Sequence, residues 1–324
     1  MRGFIALFVV FIVSGTGFGA MKAESGRAKF EPSAIEKDIP AGYQLKAFDF
    51  PFEMKPTREL PVSGVEIFSL TFPSPVKSPF ETNNTVHAQY YKPKGDGPFP
   101  AVIVLEILAG GEELCEAVGL ILAQHKIAAL FVRMAYYGPR RPPERVRLLS
   151  PDIDHTIEGI RQTVLDCRCA TAWLSSRPEV DKERLGIVGI SLGSFISALT
   201  SSMEPRLKKV ALLLGGGSLV DVYYDHPKAA PLRALNELFG GDGKRRMKQL
   251  IDPIDPITYA KMLKSHDLLM IAARRDDIVP PLAAELLWKA TGQQKIVWID
   301  TDHYGAALYL LPMMRAMLEH FEKP

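Results

Sequence analysis

The stretch LGIVGISLG, residues 185–193, decides the fold of this 324-residue chain. Its first six residues are apolar or glycine, as in a short buried strand, and helical spacing begins directly after Ser191 and continues to about Met203. A strand that turns at once into a helix brings backbone close to backbone, so the positions around the turn need residues without a bulky Cβ. Gly189 and Gly193 meet this requirement. The pattern therefore predicts a Ser191 hydroxyl exposed above a sheet edge, at the positive end of a helix.

Strands and helices alternate along most of the chain on either side of this turn. The predicted strands are 65–71, 85–91, 101–105, 127–132, 185–190, 210–214, 268–272 and 295–299. The predicted helices are 114–124, 155–175, 192–203, 282–290 and 306–321. This alternation predicts the α/β class, with a mostly parallel central sheet and helices on both faces. The first two strands have no helix between them, which predicts an antiparallel hairpin at one edge of the sheet.

Two segments depart from the alternation. Residues 21–60 are polar and rich in proline, and we expect an N-terminal arm that wraps the domain or stays partly loose. Residues 61–324 are predicted to form the α/β domain. Within it, residues 218–266 are too long for a connection and are helical in places, so we expect a small helical cap.

The N-terminus has the three parts of a secretory signal peptide. Arg2 supplies a positive charge, residues 4–13 are apolar, and residues 14–20 are small and rich in glycine. The apolar run is shorter than the ~20 residues that a membrane span needs. We therefore expect export, to the periplasm or the exterior, with residues 1–20 removed; an uncleaved N-terminal anchor is the alternative. No other stretch is apolar enough to predict stable membrane insertion.

The charge balance and the cysteines limit the expected partners and cofactors. The formal net charge is +2, and no basic stripe is interleaved with aromatic residues, so nucleic acid is not an expected partner. An odd, low number of cysteines does not make a disulfide framework. We expect buried or neutral helix residues at Cys115, Cys167 and Cys169. The sequence has no His-x-x-x-His pair, Cys-x-x-Cys motif or phosphate loop, so neither a metal nor an organic cofactor is expected.

The glycine-flanked serine resembles the turn that carries the nucleophile of α/β-hydrolases, in which the acid and then the histidine follow the serine. A serine hydroxyl needs a base within hydrogen-bond reach. Of the later histidines, His303 alone follows a strand on a loop at the carboxyl edge of the sheet, where open α/β folds bind ligands. His266 precedes a strand, and we expect His320, in the last helix, at the surface. His226 in the insertion is expected at most to touch substrate.

The acid that orients the histidine is expected at the end of the strand 268–272. Either Asp276 or Asp277 fits this place. The pattern of the superfamily puts the acid four residues before a proline, here Pro280, and this selects Asp276 with Asp277 as the alternative. Asp302 is next to the histidine in sequence, and because adjacent side chains diverge we expect it to point elsewhere.

An acyl-transfer reaction also needs donors for the oxyanion of the tetrahedral intermediate. One predicted donor is the backbone N–H of Leu192, which follows the serine. The second is expected from the loop after the strand 101–105, with the N–H of Ile107 preferred and that of Leu108 next. Removing one such donor typically costs about 3–4 kcal/mol of barrier lowering.

The chain resembles the α/β-hydrolase superfamily over about residues 60–324. Residues 104–107, VLEI, at the end of a predicted strand, resemble the corresponding stretch of dienelactone hydrolases. Residues 161–166, RQTVLD, and residues 176–181, SRPEVD, are similar to secreted bacterial esterases related to acetyl-xylan esterases and dienelactone hydrolases. In dienelactone hydrolases the glutamate lies beside the nucleophile, which implies the same for Glu106. We expect Arg133 to pair with it; a plain surface salt bridge is the alternative. The chain departs from that family in its serine nucleophile, where the family has cysteine.

The resemblance implies hydrolysis of a small-molecule carboxylic ester through an acyl-enzyme on Ser191. The alternatives are a dienelactone hydrolase-like lactone or acyl hydrolase, and a catalytically silent fold used for binding. A peptidase of the prolyl-oligopeptidase type is disfavoured, because ~60 residues before the first predicted strand cannot form a propeller domain. The residues that we expect either to shape the pocket or only to pack are Tyr136, Tyr137, Tyr223, Tyr224 and His226.

Overall fold

The computed structural model describes residues 21–108, 110–225, 234 and 242–323. The predicted signal peptide lies outside these residues, and among them no helix has both the length and the apolar character to cross a membrane. The described strands are β1 (Glu24–Phe30), β2 (Phe48–Leu60), β3 (Val65–Pro73), β4 (Thr85–Pro93), β5 (Phe99–Leu105), β6 (Ala128–Val132), β7 (Val180–Ile190), β8 (Leu207–Leu213), β9 (Asp267–Ala273) and β10 (Lys295–Ile299). The described α-helices are α1 (Glu112–Gln124), α2 (Ile153–Ser175), α3 (Leu192–Met203), α4 (Leu219–Asp225), α5 (Gly243–Ile251), α6 (Pro281–Ala290) and α7 (Leu310–Glu322).

The described strands form one mixed sheet in the order β1-β2-β3-β4-β6-β5-β7-β8-β9-β10. Neighbouring strands from β1 to β6 along this order are antiparallel. From β6 to β10 they are parallel. The α/β class and the central parallel strands predicted from the sequence are confirmed. This arrangement is the α/β-hydrolase fold.

Helices cover both faces of the parallel half of the sheet. Strands β5 and β6 are buried along their whole length, which explains why both are continuous apolar runs without alternation. Trp173 of α2 and Leu199 of α3 pack into the core on one face. Val118 of α1 and Met317 of α7 pack into the core on the other. The three cysteines are free and buried, as predicted.

Residues 21–60 are not the irregular arm that we expected. They contain β1 and β2, which extend the sheet. The hairpin of β3 and β4 was predicted at the edge of the sheet, and this prediction is wrong, because β2 pairs with β3 and makes the hairpin internal. β2 begins with the period of a half-buried strand: Phe50, Phe52 and Met54 are buried, while the residues between them are exposed. One of these exposed residues is Pro51, and prolines and charged residues on this face concealed the strand in the sequence.

Arg168 of α2 holds the segment between β1 and β2 against the domain. Its Nη1 donates to the Tyr43 carbonyl oxygen at 2.6 Å and to Glu36 Oε1 at 3.0 Å, and its Nη2 donates to Glu36 Oε2 at 2.6 Å. Glu204 Oε2 lies 3.6 Å from its Nε. The guanidinium is fully buried, so these partners compensate a charge that water no longer solvates.

The insertion at residues 218–266 is helical where it is described, as predicted. Its described parts contact α2 and α3, and the Tyr43 hydroxyl donates to the Pro253 carbonyl oxygen at 2.7 Å. Besides α4 and α5 it contains the 3-10 turns Asp252–Ile254, Pro256–Tyr259 and Met262–Ser265.

We predict that Arg168→Met lowers the free energy of unfolding by about 3–5 kcal/mol, because it removes a buried guanidinium with its hydrogen bonds and leaves the half-buried Glu36 carboxylate without its ion-pair partner. The measurement is urea denaturation at neutral pH. Lys289→Met is the control: it breaks the exposed pair with Glu285 and is expected to change stability by less than about 1 kcal/mol. A loss for Arg168→Met no larger than that of the control contradicts the prediction.

Candidate active site

The backbone at Ser191 adopts φ +52° and ψ −116°, a strained conformation at the junction of β7 and α3. The Ser191 N–H donates to the Leu213 carbonyl oxygen of β8 at 2.8 Å, which ties the turn to the neighbouring strand. A Cβ at Gly189 would lie 2.1 Å from the Gly193 carbonyl oxygen, and a Cβ at Gly193 would lie 2.6 Å from that of Glu106. Both glycines are therefore required by close approach of backbone, as the motif predicts.

Ser191, His303 and Asp276 form a continuous chain of hydrogen bonds. Ser191 Oγ lies 3.0 Å from His303 Nε2, and His303 Nδ1 lies 2.7 Å from Asp276 Oδ2. A carboxylate only accepts, so Nδ1 carries the proton and the neutral imidazole presents Nε2 as an acceptor to the serine hydroxyl. The arrangement leaves a base in contact with a hydroxyl that is exposed on a tight turn.

The loops after β9 and β10 place the acid and the histidine. Asp276 is 5% exposed, and its Oδ1 accepts hydrogen bonds from the N–H groups of Ile278 at 2.9 Å and Val279 at 2.7 Å. Its other oxygen is directed to the imidazole. The adjacent Asp277 is exposed, and Asp302 turns away to accept from the Gly305 N–H at 2.6 Å. Asp276 is thus the carboxylate that the structure brings to His303.

The other histidines of the C-terminal half lie elsewhere. His266 precedes β9 and is buried. The prediction that His320 lies at the surface is wrong: it is 4% exposed on α7, and burial lowers its pKa to about 4. It packs 3.8 Å from Asp267 at the start of β9, because α7 covers the sheet on the side of its fully buried Met317. His226 lies outside the described residues.

The two predicted oxyanion donors lie on the loops that flank Ser191. Leu192 is the first residue of α3, where backbone N–H groups have no acceptor within the helix. Ile107 follows the end of β5 and lines the cleft beside Ser191 together with Leu108. Their role as donors stays a prediction.

Glu106 and Arg133 form the expected pair, and the pair is buried. Arg133 Nη1 lies 3.6 Å from Glu106 Oε2, and the side chains are 8% and 1% exposed. The Met134 N–H donates to Glu106 Oε1 at 3.3 Å, and Arg133 also contacts Glu112. Burial raises the pKa of Glu106 to about 7, and the guanidinium acts against this. The alternative of a plain surface salt bridge is therefore wrong, and the Glu106 carboxylate is absent from the walls of the cleft beside Ser191.

The cleft beside Ser191 has a volume of about 340 Å³ and a mostly apolar wall. Apart from Ser191 and His303, its wall consists of Ile107, Leu108, Leu114, Ile190, Leu214, Ile278, Tyr304, Ala306, Ala307, Leu310 and Met313. The residues after His303 were missed by sequence reasoning, although their spacing places them on one side of the final helical segment. Such a wall favours an apolar group next to the reacting bond.

The tyrosines proposed as pocket residues lie in other places. Tyr136 and Tyr137 line a second cavity of about 370 Å³, which among the described residues shares Leu108 alone with the cleft. Tyr224 is buried under Lys244, whose Nζ lies 5.4 Å from the ring centre. The side chain of Tyr223 lies outside the described part of the chain. Among the described residues, no group of His, Cys, Asp and Glu is arranged to hold a metal ion.

Comparison with known proteins supports the fold. Residues 160–300 match the model of the prolyl oligopeptidase family, a segment that includes Ser191 and Asp276 and ends just before His303. Two uncharacterized proteins of Mycobacterium tuberculosis (strain ATCC 25618 / H37Rv) are similar to this chain. One is 26% identical over 176 residues, covering 52% of this chain and 40% of that protein. The other is 27% identical over 210 residues, covering 64% and 63%. The matched part thus spans less than two thirds of either relative.

Solved structures of esterases share the whole architecture. Acetyl xylan esterase 1 from Thermoanaerobacterium sp. JW/SL YS485 matches with a TM-score of 0.59 at 21% identity, over 84% of this chain and 88% of that one. The acetyl xylan esterase from Paenibacillus sp. R4 matches with a TM-score of 0.60 at 18% identity, over 88% and 90%. These likenesses confirm the α/β-hydrolase fold that the sequence predicts.

We predict that Glu106 makes the protein less stable as the pH rises from about 4.5 to about 7. Between the ordinary pKa of 4.5 and the raised value of about 7, the folded state binds more protons than the unfolded chain, so the free energy of unfolding falls with rising pH. Glu106→Gln removes this contribution. Urea denaturation of both proteins at about pH 5 and pH 7.5 measures it. Equal pH dependence in the two proteins contradicts the prediction.

Proposed function

We propose that this protein is a serine hydrolase that cleaves carboxylic esters of small molecules through an acyl-enzyme on Ser191. The observation that carries the proposal is the hydrogen-bond chain from the Ser191 hydroxyl through His303 to the buried Asp276, with distances of 3.0 and 2.7 Å. The serine stands at a strained, glycine-flanked turn, where its oxygen is exposed to a cleft large enough for a substrate.

In the first step, Ser191 Oγ attacks the ester carbonyl carbon while its proton passes to His303 Nε2. Asp276 stabilises the imidazolium that forms and keeps Nδ1 protonated, so the ring stays in the tautomer that accepts at Nε2. The tetrahedral intermediate collapses when the bond to the leaving oxygen breaks. His303 gives its proton to that oxygen, the alcohol departs, and the acyl group stays on Ser191.

In the second step, a water molecule takes the place of the alcohol. His303 removes its proton as the water oxygen attacks the acyl carbon, and it then returns the proton to Ser191 Oγ when the acyl bond breaks. Each tetrahedral intermediate carries a negative oxygen, for which the N–H groups of Leu192 and Ile107 are the proposed donors. Two such donors fixed before the reaction lower the barrier without reorganisation.

A second candidate activity is hydrolysis of a peptide bond at the same residues. The match of residues 160–300 to the prolyl oligopeptidase family favours it, since both reactions use the same acyl-enzyme chemistry. Turnover of p-nitrophenyl esters of graded chain length, compared with peptidyl p-nitroanilides, separates the two. Ester turnover without anilide turnover supports the esterase, and the reverse result replaces it with a peptidase.

We predict that a fluorophosphonate probe labels the protein at Ser191 and that Ser191→Ala is neither labelled nor active. Loss of the nucleophile reduces kcat by a factor on the order of 10⁶ in such triads. Intact-mass spectrometry and p-nitrophenyl ester assays measure the two effects. Absence of an adduct on the wild-type serine means that the fold serves binding and not catalysis, and full activity of Ser191→Ala means that the site is assigned wrongly.

We predict that Asp276→Asn lowers kcat for ester hydrolysis by a factor on the order of 10⁴, because the amide imposes the wrong tautomer on the histidine. Asp277→Asn is the matched control, the same change one residue away on an exposed side chain, and we expect it to alter kcat only a few-fold. Steady-state kinetics on one p-nitrophenyl ester measure both. A larger effect at residue 277 makes the neighbouring carboxylate the acid of the triad.

A further inference from the structure

The second cavity, of about 370 Å³, lies across the loop after β5 from the cleft that holds Ser191. The two spaces share Leu108 as a lining residue, so they are direct neighbours on either side of this side chain. The remaining residues that line the second cavity are Tyr136, Tyr137, Arg141, Arg147, Leu148 and Leu149. In contrast to the apolar cleft, this wall carries two guanidinium groups and tyrosine side chains.

Tyr137 brings a hydroxyl into this cavity that has no hydrogen-bond partner among the described residues. The residue as a whole is only 5% exposed, but its hydroxyl oxygen is not among the fully buried polar atoms without a partner, so it is open to water or to a ligand in the cavity. Burial raises the pKa of Tyr137 to about 12, the charge of Glu106 adds to this, and the nearby guanidinium groups of Arg141 and Arg147 act against it. The hydroxyl is thus a protonated donor close to two positive charges.

Arg141 and Arg147 differ from Arg133 and Arg140, the two buried arginines of this region. Arg140 pairs with Asp166 at 2.7 Å, and Arg133 contacts two glutamates. Within the described part of the chain, neither lining arginine forms an ion pair. The Nε of Arg141 donates to the Tyr136 carbonyl oxygen at 3.4 Å, which positions the side chain and leaves its two terminal nitrogens for other acceptors.

We propose that Arg141, Arg147 and the Tyr137 hydroxyl form a subsite that binds an anionic group on the substrate, while the apolar cleft takes the other side of the scissile ester. Guanidinium groups donate in a planar fork that matches a carboxylate, and a charged acceptor strengthens each hydrogen bond. This inference rests on the proposed function, because it assigns the substrate class of the same site. The substrate is an ester with one apolar portion and one portion that carries a negative charge.

The test compares two pairs of esters, and within each pair one member carries a free carboxylate and the other carries its uncharged methyl ester. In the first pair the charge is on the alcohol portion: para-butanoyloxybenzoate and its methyl ester. In the second pair it is on the acyl portion: p-nitrophenyl hydrogen suberate and its methyl ester. The measured quantity is kcat/KM of each ester in the wild type, in Arg141→Gln with Arg147→Gln, and in Tyr137→Phe.

We expect the wild type to prefer the anionic member of one pair by about 10- to 100-fold, as charge-assisted hydrogen bonds provide. The pair that shows the preference assigns the subsite to the alcohol or to the acyl portion. The double arginine variant is expected to lose the preference and to keep its kcat/KM for the neutral esters. Tyr137→Phe is expected to reduce the preference in the same direction, without a change of net charge.

Arg145→Gln is the control for the loss of positive charge. Arg145 lies on the same loop, is exposed and does not line the cavity, so its replacement is expected to leave the preference intact. Equal turnover of both members in both pairs overturns the subsite and leaves the esterase proposal standing. A preference that persists in the double variant also overturns it. If no ester of either pair is hydrolysed at all, the proposed function itself fails.

Discussion

The strained backbone of Ser191 is the constraint on which the rest of the site depends. Its φ of +52° is a conformation that costs about 1–3 kcal/mol for a residue other than glycine. The surrounding structure holds it: the N–H is bonded to Leu213 of the next strand, and two glycines allow the backbone of β7, α3 and the loop after β5 to approach within contact. The same close approach that forces the turn also brings the loop of Ile107 beside the serine, so the proposed nucleophile and its expected oxyanion donors follow from one packing arrangement.

The remaining functional groups converge because parallel strands end at one edge. β7 delivers Ser191, β9 delivers Asp276, and β10 delivers His303, although the last two are 27 residues apart and the serine is 112 residues from the histidine. The backbone N–H groups of Ile278 and Val279 fix the orientation of the Asp276 carboxylate, which leaves its other oxygen directed to His303. At this edge Leu108 lies between two neighbouring cavities: the apolar cleft beside Ser191 and the second cavity, which is lined by Arg141 and Arg147.

The buried pair of Glu106 and Arg133 lies below this edge, next to the loop after β5. Burial of a carboxyl group that is 1% exposed disfavours its charged form, and the guanidinium of Arg133 and the N–H of Met134 partly compensate for this. Its raised pKa reflects the desolvation that these partners do not fully offset. The pair therefore joins the end of β5 to the end of β6, and it ties the backbone that precedes Ile107 to the rest of the sheet.

The sequence by itself determined the alternating strands and helices of the domain, the glycine-flanked turn at Ser191, and the choice of His303 and Asp276. These features depend on local periodicity and on the order of residues along the chain, and both can be read from a single sequence. It did not reveal β1 and β2, because prolines and charges on one face of β2 hid the alternation of Phe50, Phe52 and Met54. It also misplaced His320, and it left open whether Tyr137 shapes the pocket or only packs. Burial and cavities arise when segments that are distant in sequence pack together. Only the tertiary structure therefore decided that His320 is buried and that Arg141 and Arg147 line a cavity next to the cleft.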